Sequence, residues 1–266
     1  MRPVADSSKA VFFISDAHLG SGPDLEQRRN SLVARLADLR QRAEHVYVLG
    51  DLFDFWFEYR HAVPKGHFQV LRALAELVEA GVPVEFFGGN HDFWCGSYLQ
   101  QEVGLVVHQK PTVVSHQGRR IFLAHGDGIA SGDWGYRMLK ALLRHPWAIA
   151  LYRTVHPDVG IPLAYRVSAI SRPHCLPFDV LLDRYRRNLV EPRFALGDDA
   201  VVIGHVHSPT HLRDPRGRDF VILGDWIEHY TSIRLEQGVF HLECHPPGRK
   251  PGRIEPAPWP PPRAGG

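Results

Sequence analysis

The chain has 266 residues, 44% of them hydrophobic and 23% charged, which fits one large globular domain with room for an insertion. A formal net charge of +2 is too small to imply a nucleic-acid or membrane partner by itself, and three widely spaced cysteines (Cys95, Cys175, Cys244) argue against a disulfide framework or a zinc knuckle. No signal-peptide core precedes "VFFISDAH" and no run is long enough to span a bilayer, so the expected location is the reducing cytoplasm.

Taken in chain order, short apolar runs each end abruptly in polar residues. "VFFI" at 11–14 is followed by "SDAH", which carries Asp16 and His18. Leu25, Leu32, Leu36 and Leu39 then recur at helical spacing. "VYVL" at 46–49 leads into "GDLFD", with Asp51 and Asp54, and a second helical stripe follows at Phe68, Leu71, Leu74, Leu77 and Val78. "VEFF" at 84–87 leads into "GGNHD", with Asn90, His91 and Asp92. "RIFLA" at 120–124 leads into "HGD", with His125 and Asp127, and "AVVIG" at 200–204 leads into "HVH", with His205 and His207. "FVILG" at 220–224 closes the series. Runs this short and this apolar predict strands buried on both faces. Strand–helix–strand alternation followed by strand-rich sequence predicts a layered α/β sandwich on a mixed sheet.

Two stretches break the rhythm. Residues 131–195 are helical and amphipathic, and up to residue 193 they carry ten Arg/Lys against five Asp/Glu. They are expected to form an insertion in a single domain spanning 1–245. The Pro/Gly-rich tail 246–266 is expected to be disordered and without a catalytic role.

Each polar strand end is weak evidence alone, since an Asp in a turn beside a surface His gives the same letters. Together they deliver carboxylates, an amide and imidazoles from five strands to one rim, where open α/β sheets bind ligands. Several adjacent carboxylates left unpaired near a buried rim are costly, so the constellation points to a ligand-bearing cleft.

In this order and spacing, D-x-H, G-D-x-x-D, G-N-H-D, H-G-D and G-H-x-H resemble the calcineurin-like metallophosphoesterase superfamily from residue 11 to about 225. The resemblance implies an α/β/β/α sandwich with two divalent ions. Asp16, His18, Asp51 and His207 would take one ion, and Asn90, His125 and His205 the other, with Asp51 bridging. Two ions roughly 3.5–4 Å apart clamp the attacking and leaving oxygens of a displacement at phosphorus, with a shared hydroxide as nucleophile. Oxygen and nitrogen donors without thiolate suit Mn²⁺ first, with Fe or Zn²⁺ as alternatives. His91, paired with Asp54 and kept protonated by it, is the implied catalytic group; the plainer alternative is a spacer in a turn.

"SDAHLG", "VLGDLFDFW", "GGNHDFW", "HGDGIASGDWGYR", "RHPW", "GHVHSP" and "VILGDW" are together similar to the UDP-2,3-diacylglucosamine diphosphatase (hydrolase) family. Those enzymes release UMP and 2,3-diacylglucosamine 1-phosphate in lipid A biosynthesis. The best-known members carry Arg and Glu where this chain has His91 and Asp54, which leaves the exact substrate open. The resemblance makes residues 131–172 a helical lid over acyl chains. Trp134, Met138, Leu139, Leu142, Leu143, Trp147, Ile149 and Leu151 could line a groove for them. Arg137, Lys140, Arg144, Arg153, Arg166 and Arg172 could hold phosphate or an anionic membrane surface. Asp127, Ser131, Asp133, Tyr136, Arg137, Trp147 and Arg172 are the expected substrate contacts. The plainer reading is a hairpin whose apolar stripe packs on the sheet.

The expected partners are therefore a lipid-linked nucleotide sugar and the cytoplasmic face of the inner membrane. A nucleic acid is not expected, because its groove would be basic without a Leu/Trp lining. The sequence leaves the oligomeric state open. Alternatives are a related metallophosphoesterase for another phosphodiester, pyrophosphate or phosphomonoester, and a non-catalytic scaffold, against which the complete ligand set argues.

Overall fold

The computed structural model describes residues 9–20, 22–129, 138, 141–170 and 177–259. β1 (Ala10–Ile14), α1 (Leu25–Arg42), β2 (Ala43–Val48), α2 (Phe68–Glu79), β3 (Val84–Phe87), α3 (Tyr98–Gln101) and β4 (Val106–His108) form the first half. β5 (Thr112–His116) and β6 (Arg119–Ala124) begin the second. Next come α4 (Pro146–Tyr152), α5 (Pro157–Ile170), α6 (Phe178–Tyr185), a π-helical turn at Arg186–Val190 and α7 (Glu191–Ala195). β7 (Ala200–Ile203), β8 (Thr210–Arg213), β9 (Asp219–Ile222), β10 (Thr231–Glu236), β11 (Val239–Cys244), β12 (Gly252–Ile254) and β13 (Ala257–Pro258) complete the chain.

The strands form two mixed sheets, ordered β12-β11-β10-β1-β2-β3-β4 and β13-β8-β9-β7-β6-β5. Period-two alternation explains why runs such as "VFFI" are apolar throughout. Val11, Phe13, Tyr47, Leu49, Phe87, Ile121, Leu123, Val202 and Val221 meet between the sheets. The alternate residues Phe12, Ile14, Val46, Val48 and Phe86 pack instead on Leu32, Leu36, Leu39, Val70, Leu74 and Leu77 of α1 and α2. On the far side Phe122, Val201, Ile203, Phe220 and Ile222 pack on Tyr185, Leu189, Val190 and Phe194. The result is the α/β/β/α sandwich that the sequence implied. Each fully buried Phe or Leu contributes about 1.5–3 kcal/mol of transfer free energy, which is why two-faced burial selects such uniform strands.

Three expectations need correcting. Phe68 does not join the core stripe; as the first residue of α2 it is 72% exposed, and the buried face begins at Val70 and Leu71. The region expected as one insertion divides: α6, the π turn and α7 form the outer helical layer of the second sheet, and α4 and α5 pack on Phe55, Phe57 and Trp94 instead. The tail is ordered through residue 259. β12 adds antiparallel to β11, and β13 lies parallel to β8. The Trp259 amide donates to the Arg213 carbonyl at 3.0 Å, and its ring packs 6.0 Å from Phe194 and 6.3 Å from Phe220. Prolines are tolerated on edge strands, and Ile254 and Trp259 supply the apolar anchors, so a Pro/Gly-rich composition did not preclude pairing. Residues 260–266 lie outside the described residues.

Candidate metal centre

The loops that leave β1, β2, β3, β6 and β7 converge, and their backbones are bent in a way side chains rarely adopt. Asp16 (φ 53°), His18 (44°), Asp51 (51°), His205 (69°) and His207 (59°) are all left-handed. Each such non-glycine residue costs on the order of 1–3 kcal/mol and persists only where its surroundings over-determine it. Loop-to-loop hydrogen bonds do that here. The Asp16 amide donates to Gly50 O at 3.1 Å, the His18 amide to Asp51 O at 2.9 Å, and the Trp226 amide to Asp16 O at 3.0 Å. Two glycines permit the approach. A Cβ on Gly89 would stand 2.1 Å from Asp51 Oδ1, and one on Gly204 would stand 2.5 Å from Asp16 Oδ2.

The side chains meet in two groups that share Asp51. In one, His207 Nε2 lies 3.3 Å from Asp16 Oδ1 and 3.1 Å from His18 Nε2, which is 3.7 Å from Asp51 Oδ2. In the other, His125 Nε2 lies 3.2 Å from the same Asp51 Oδ2 and 3.1 Å from Asn90 Oδ1, with His205 completing a cluster of candidate ligand atoms within 4.8 Å. All seven expected ligand positions are thus brought together. Asp16 and Asp51 each give one oxygen to a backbone amide, those of His205 and His91 respectively, both at 2.9 Å. The other oxygen of each faces imidazoles.

A layer behind these residues fixes their orientation, as outer partners of metal-binding imidazoles do. His18 Nδ1 bonds Asp54 Oδ1 at 3.1 Å, His125 Nδ1 donates to Leu49 O at 2.7 Å, and His207 Nδ1 is 3.8 Å from Asp225 Oδ2. Asp92, fully buried, accepts from the amides of Asp51, Leu52, Phe53 and Gly89 and so ties the β2 loop to the β3 loop. Asp225 stands at the end of β9, where the rule that located the other five strand ends also leads. Arg28 had no signal in the sequence; it is buried on α1, and its Nη1 donates to the carbonyls of Ala17 and His18.

The electrostatics show what the cleft can hold. Burial would raise Asp51, yet His125, His91 and His18 hold it well below the usual carboxylate range. Burial would strip the proton from His125, but the charge and hydrogen bond of Asp51 push it up to about 10. Its neighbour His205 is driven down to about 4 by burial and by His125. Burial, with Asp51 adding to it, raises Asp92 to about 7. Buried Asp16 Oδ1 has no well-aligned hydrogen-bond donor. Ionised carboxylates buried against imidazoles, one of their oxygens without a hydrogen-bond donor, fit divalent cations among O and N donors.

Two expectations about the catalytic pair change. His91 Nδ1 meets the main-chain carbonyl of Asp54 at 3.1 Å, while the Asp54 carboxylate engages His18. The His91 pKa is lowered, because burial outweighs the opposing pull of Asp51 and Asp54. Its ring lies 4.8 Å from that of His18, edge to face.

Of the expected substrate contacts, Asp127 reaches the rim, with its Oδ2 4.0 Å from Arg144 Nη2. Trp147 stands 52% exposed on α4, its ring tilted 5.7 Å from that of His145. Ser131, Asp133, Tyr136, Arg137 and Arg172 lie outside the described residues, as do Trp134, Leu139 and Lys140. The α4–α5 hairpin is seated by an aromatic cluster absent from the expected contacts. The Tyr152 ring lies 4.7 Å from Phe57 and 5.1 Å from Trp94, and Tyr165 lies 6.2 Å from Phe55. Trp94 Nε1 donates to Leu143 O at 2.8 Å. The aliphatic positions do not pack inward as the plainer reading required: Met138, Leu142, Leu143 and Leu151 are all exposed.

Residues 10–209 match the family model described as calcineurin-like phosphoesterase. Similar curated proteins include UDP-2,3-diacylglucosamine hydrolase of Porphyromonas gingivalis, 37% identical over 253 residues, covering 86% of this chain and 94% of the relative. The proteins of that name from Stenotrophomonas maltophilia (30% identity; 88% and 97% covered) and Nitrosococcus oceani (29%; 88% and 94%) are also similar.

Proposed function

The chain belongs to the calcineurin-like phosphoesterase family as a metal-dependent hydrolase, and we propose that it cleaves the pyrophosphate of UDP-2,3-diacylglucosamine to UMP and 2,3-diacylglucosamine 1-phosphate. Relatives bearing the hydrolase name support this reaction in lipid A biosynthesis. The observation that carries the substrate class is the hairpin tied to the rim of the metal centre with its aliphatic face uncovered. Leu142, Leu143 and Leu151 are 48%, 37% and 63% exposed, and Leu143 O is fastened to Trp94, four residues beyond Asn90. Uncovered apolar surface beside a phosphate-handling cleft suits a substrate joining acyl chains to a diphosphate.

In this reading Asp16, His18, Asp51 and His207 would hold one divalent ion and Asn90, His125 and His205 the other, with Asp51 placed to serve both. Bound Mn²⁺ would neutralise phosphate charge and lower the pKa of water. The protein's own part is positional. Asp54 and the Leu49 carbonyl set the imidazole planes of His18 and His125, and Asp92 fixes the loop that carries Asp51. His91 Nδ1 meets Asp54 O, and the ring stands beside His18 and Asp51, where it is placed to move a proton. No helix among the described residues is long and apolar enough to cross a membrane. Exposed Leu and Trp side chains beside Arg153 and Arg166 instead suit peripheral contact with the cytoplasmic face of the inner membrane, where the lipid substrate resides.

Product analysis tests the reaction. Mass spectrometry of a single-turnover digest should find UMP and a phosphorylated lipid; UDP with an unphosphorylated diacylglucosamine would place the cut at the sugar and overturn the reading.

A further inference from the structure

The three described arginines of the hairpin region face different surroundings. Arg166 is exposed, and Arg153 is exposed with its guanidinium 6.0 Å from the Phe57 ring. Arg144 instead turns towards the metal loops. Its Nη2 donates to Gly89 O at 3.1 Å, one residue before Asn90, and lies 4.0 Å from Asp127 Oδ2, two residues after His125. Its guanidinium carbon stands 4.6 Å from the centroid of the Phe93 ring, and its Nε is buried without a hydrogen-bond partner.

This is an arginine held in place but poorly satisfied. A guanidinium offers five donors in a planar fork, and a ring face fixes that plane without neutralising the charge. A neutral carbonyl and a carboxylate at 4.0 Å are weak partners, and Nε is left without one. The acceptors that match such a fork are paired phosphate oxygens.

We propose that Arg144 is the hairpin's phosphate-binding residue, exchanging Gly89 O and Asp127 for non-bridging oxygens of the substrate's diphosphate. This rests on the diphosphate reading above and deepens it. The exchange seats the diphosphate and the hairpin together, because Leu143, the adjacent residue, is fastened to Trp94.

The test compares wild type with Arg144→Ala and Arg144→Lys, all loaded with Mn²⁺. Calorimetry should show UDP affinity falling about tenfold or more in Arg144→Ala and less in Arg144→Lys, the loss of one charged hydrogen-bonded contact. Both variants should keep the wild-type melting temperature and Mn²⁺ content, because the proposed contact is made to substrate and not to the fold. A purely structural latch would lower the melting temperature in step with UDP affinity; that result, or unchanged UDP affinity, overturns the assignment. If wild type ignores UDP-2,3-diacylglucosamine while Arg144→Ala still loses UDP affinity, the substrate is wrong and the role of Arg144 stands.

Discussion

Asp51 stands between the halves of the centre, its Oδ2 facing His18 and His125 while its Oδ1 accepts the His91 amide. Asp51→Ala should therefore abolish turnover and leave fewer than two Mn²⁺ per chain by elemental analysis; near-normal turnover would contradict the bridging role. Asp54 acts one layer back, through His18 Nδ1. Asp54→Asn should weaken metal affinity or activity by about 10–100-fold, the usual cost of removing such a partner, and an unchanged metal titration would contradict it. His91→Ala should keep both ions yet lose about 10²–10⁴-fold in rate, the range of general acid–base help. Because His91 also lies within ligand reach of His18 and Asp51, a fall in metal content would make it a ligand instead. At this scale the convergence of the candidate ligands was legible because each of them follows an apolar strand. The partners of His91 and Asp54 were not, because sequence spacing cannot tell a carboxylate from a main-chain carbonyl of the same residue.

Among the elements, β8 and β9 are joined by a buried charge network away from the metal loops. Asp219 bonds His211 Nε2 at 2.7 Å, Arg213 Nε at 2.9 Å and Arg119 Nη2 at 2.6 Å. Burial would raise its pKa, but His211 and Arg213 hold it below the ordinary value. A depressed carboxylate contributes stability above its unfolded pKa and loses it as pH falls through the folded one. Asp219→Asn should thus cost about 3–5 kcal/mol in urea unfolding at pH 7, the usual effect of breaking a buried pair, and a loss below about 1 kcal/mol would contradict this account. The buried strands and the Leu stripes of α1 and α2 were readable from periodicity alone. β12 and β13 were not, since they are short edge strands whose pairing comes from the neighbouring sheet and from Trp259.

Across the whole molecule, histidines set the response to acid. Burial drives His67 to about 4, and burial with nearby positive charge does the same for His116 and His245. Depressed imidazoles contribute stability that is present above their unfolded pKa near 6.5 and lost as pH falls towards about 4. His125, raised to about 10, acts oppositely in metal-free protein: its contribution is full below 6.5 and lost as pH rises through about 10. Melting temperatures of metal-free protein should peak near neutrality and fall below pH 6.5; a flat profile down to pH 5 would contradict this. Mn²⁺ should raise them, and above its Kd the rise should follow the logarithm of its free concentration. The central claim, a metal-dependent pyrophosphatase for a diacylated nucleotide sugar, is tested most directly by UMP release in detergent with Mn²⁺. UDP-2,3-diacylglucosamine, UDP-N-acetylglucosamine and bis-p-nitrophenyl phosphate would be compared in parallel. Rapid release from the diacylated substrate, abolished by a chelator and far slower without the acyl chains, is the predicted result. Hydrolysis of the simple diester with the lipid ignored would contradict it.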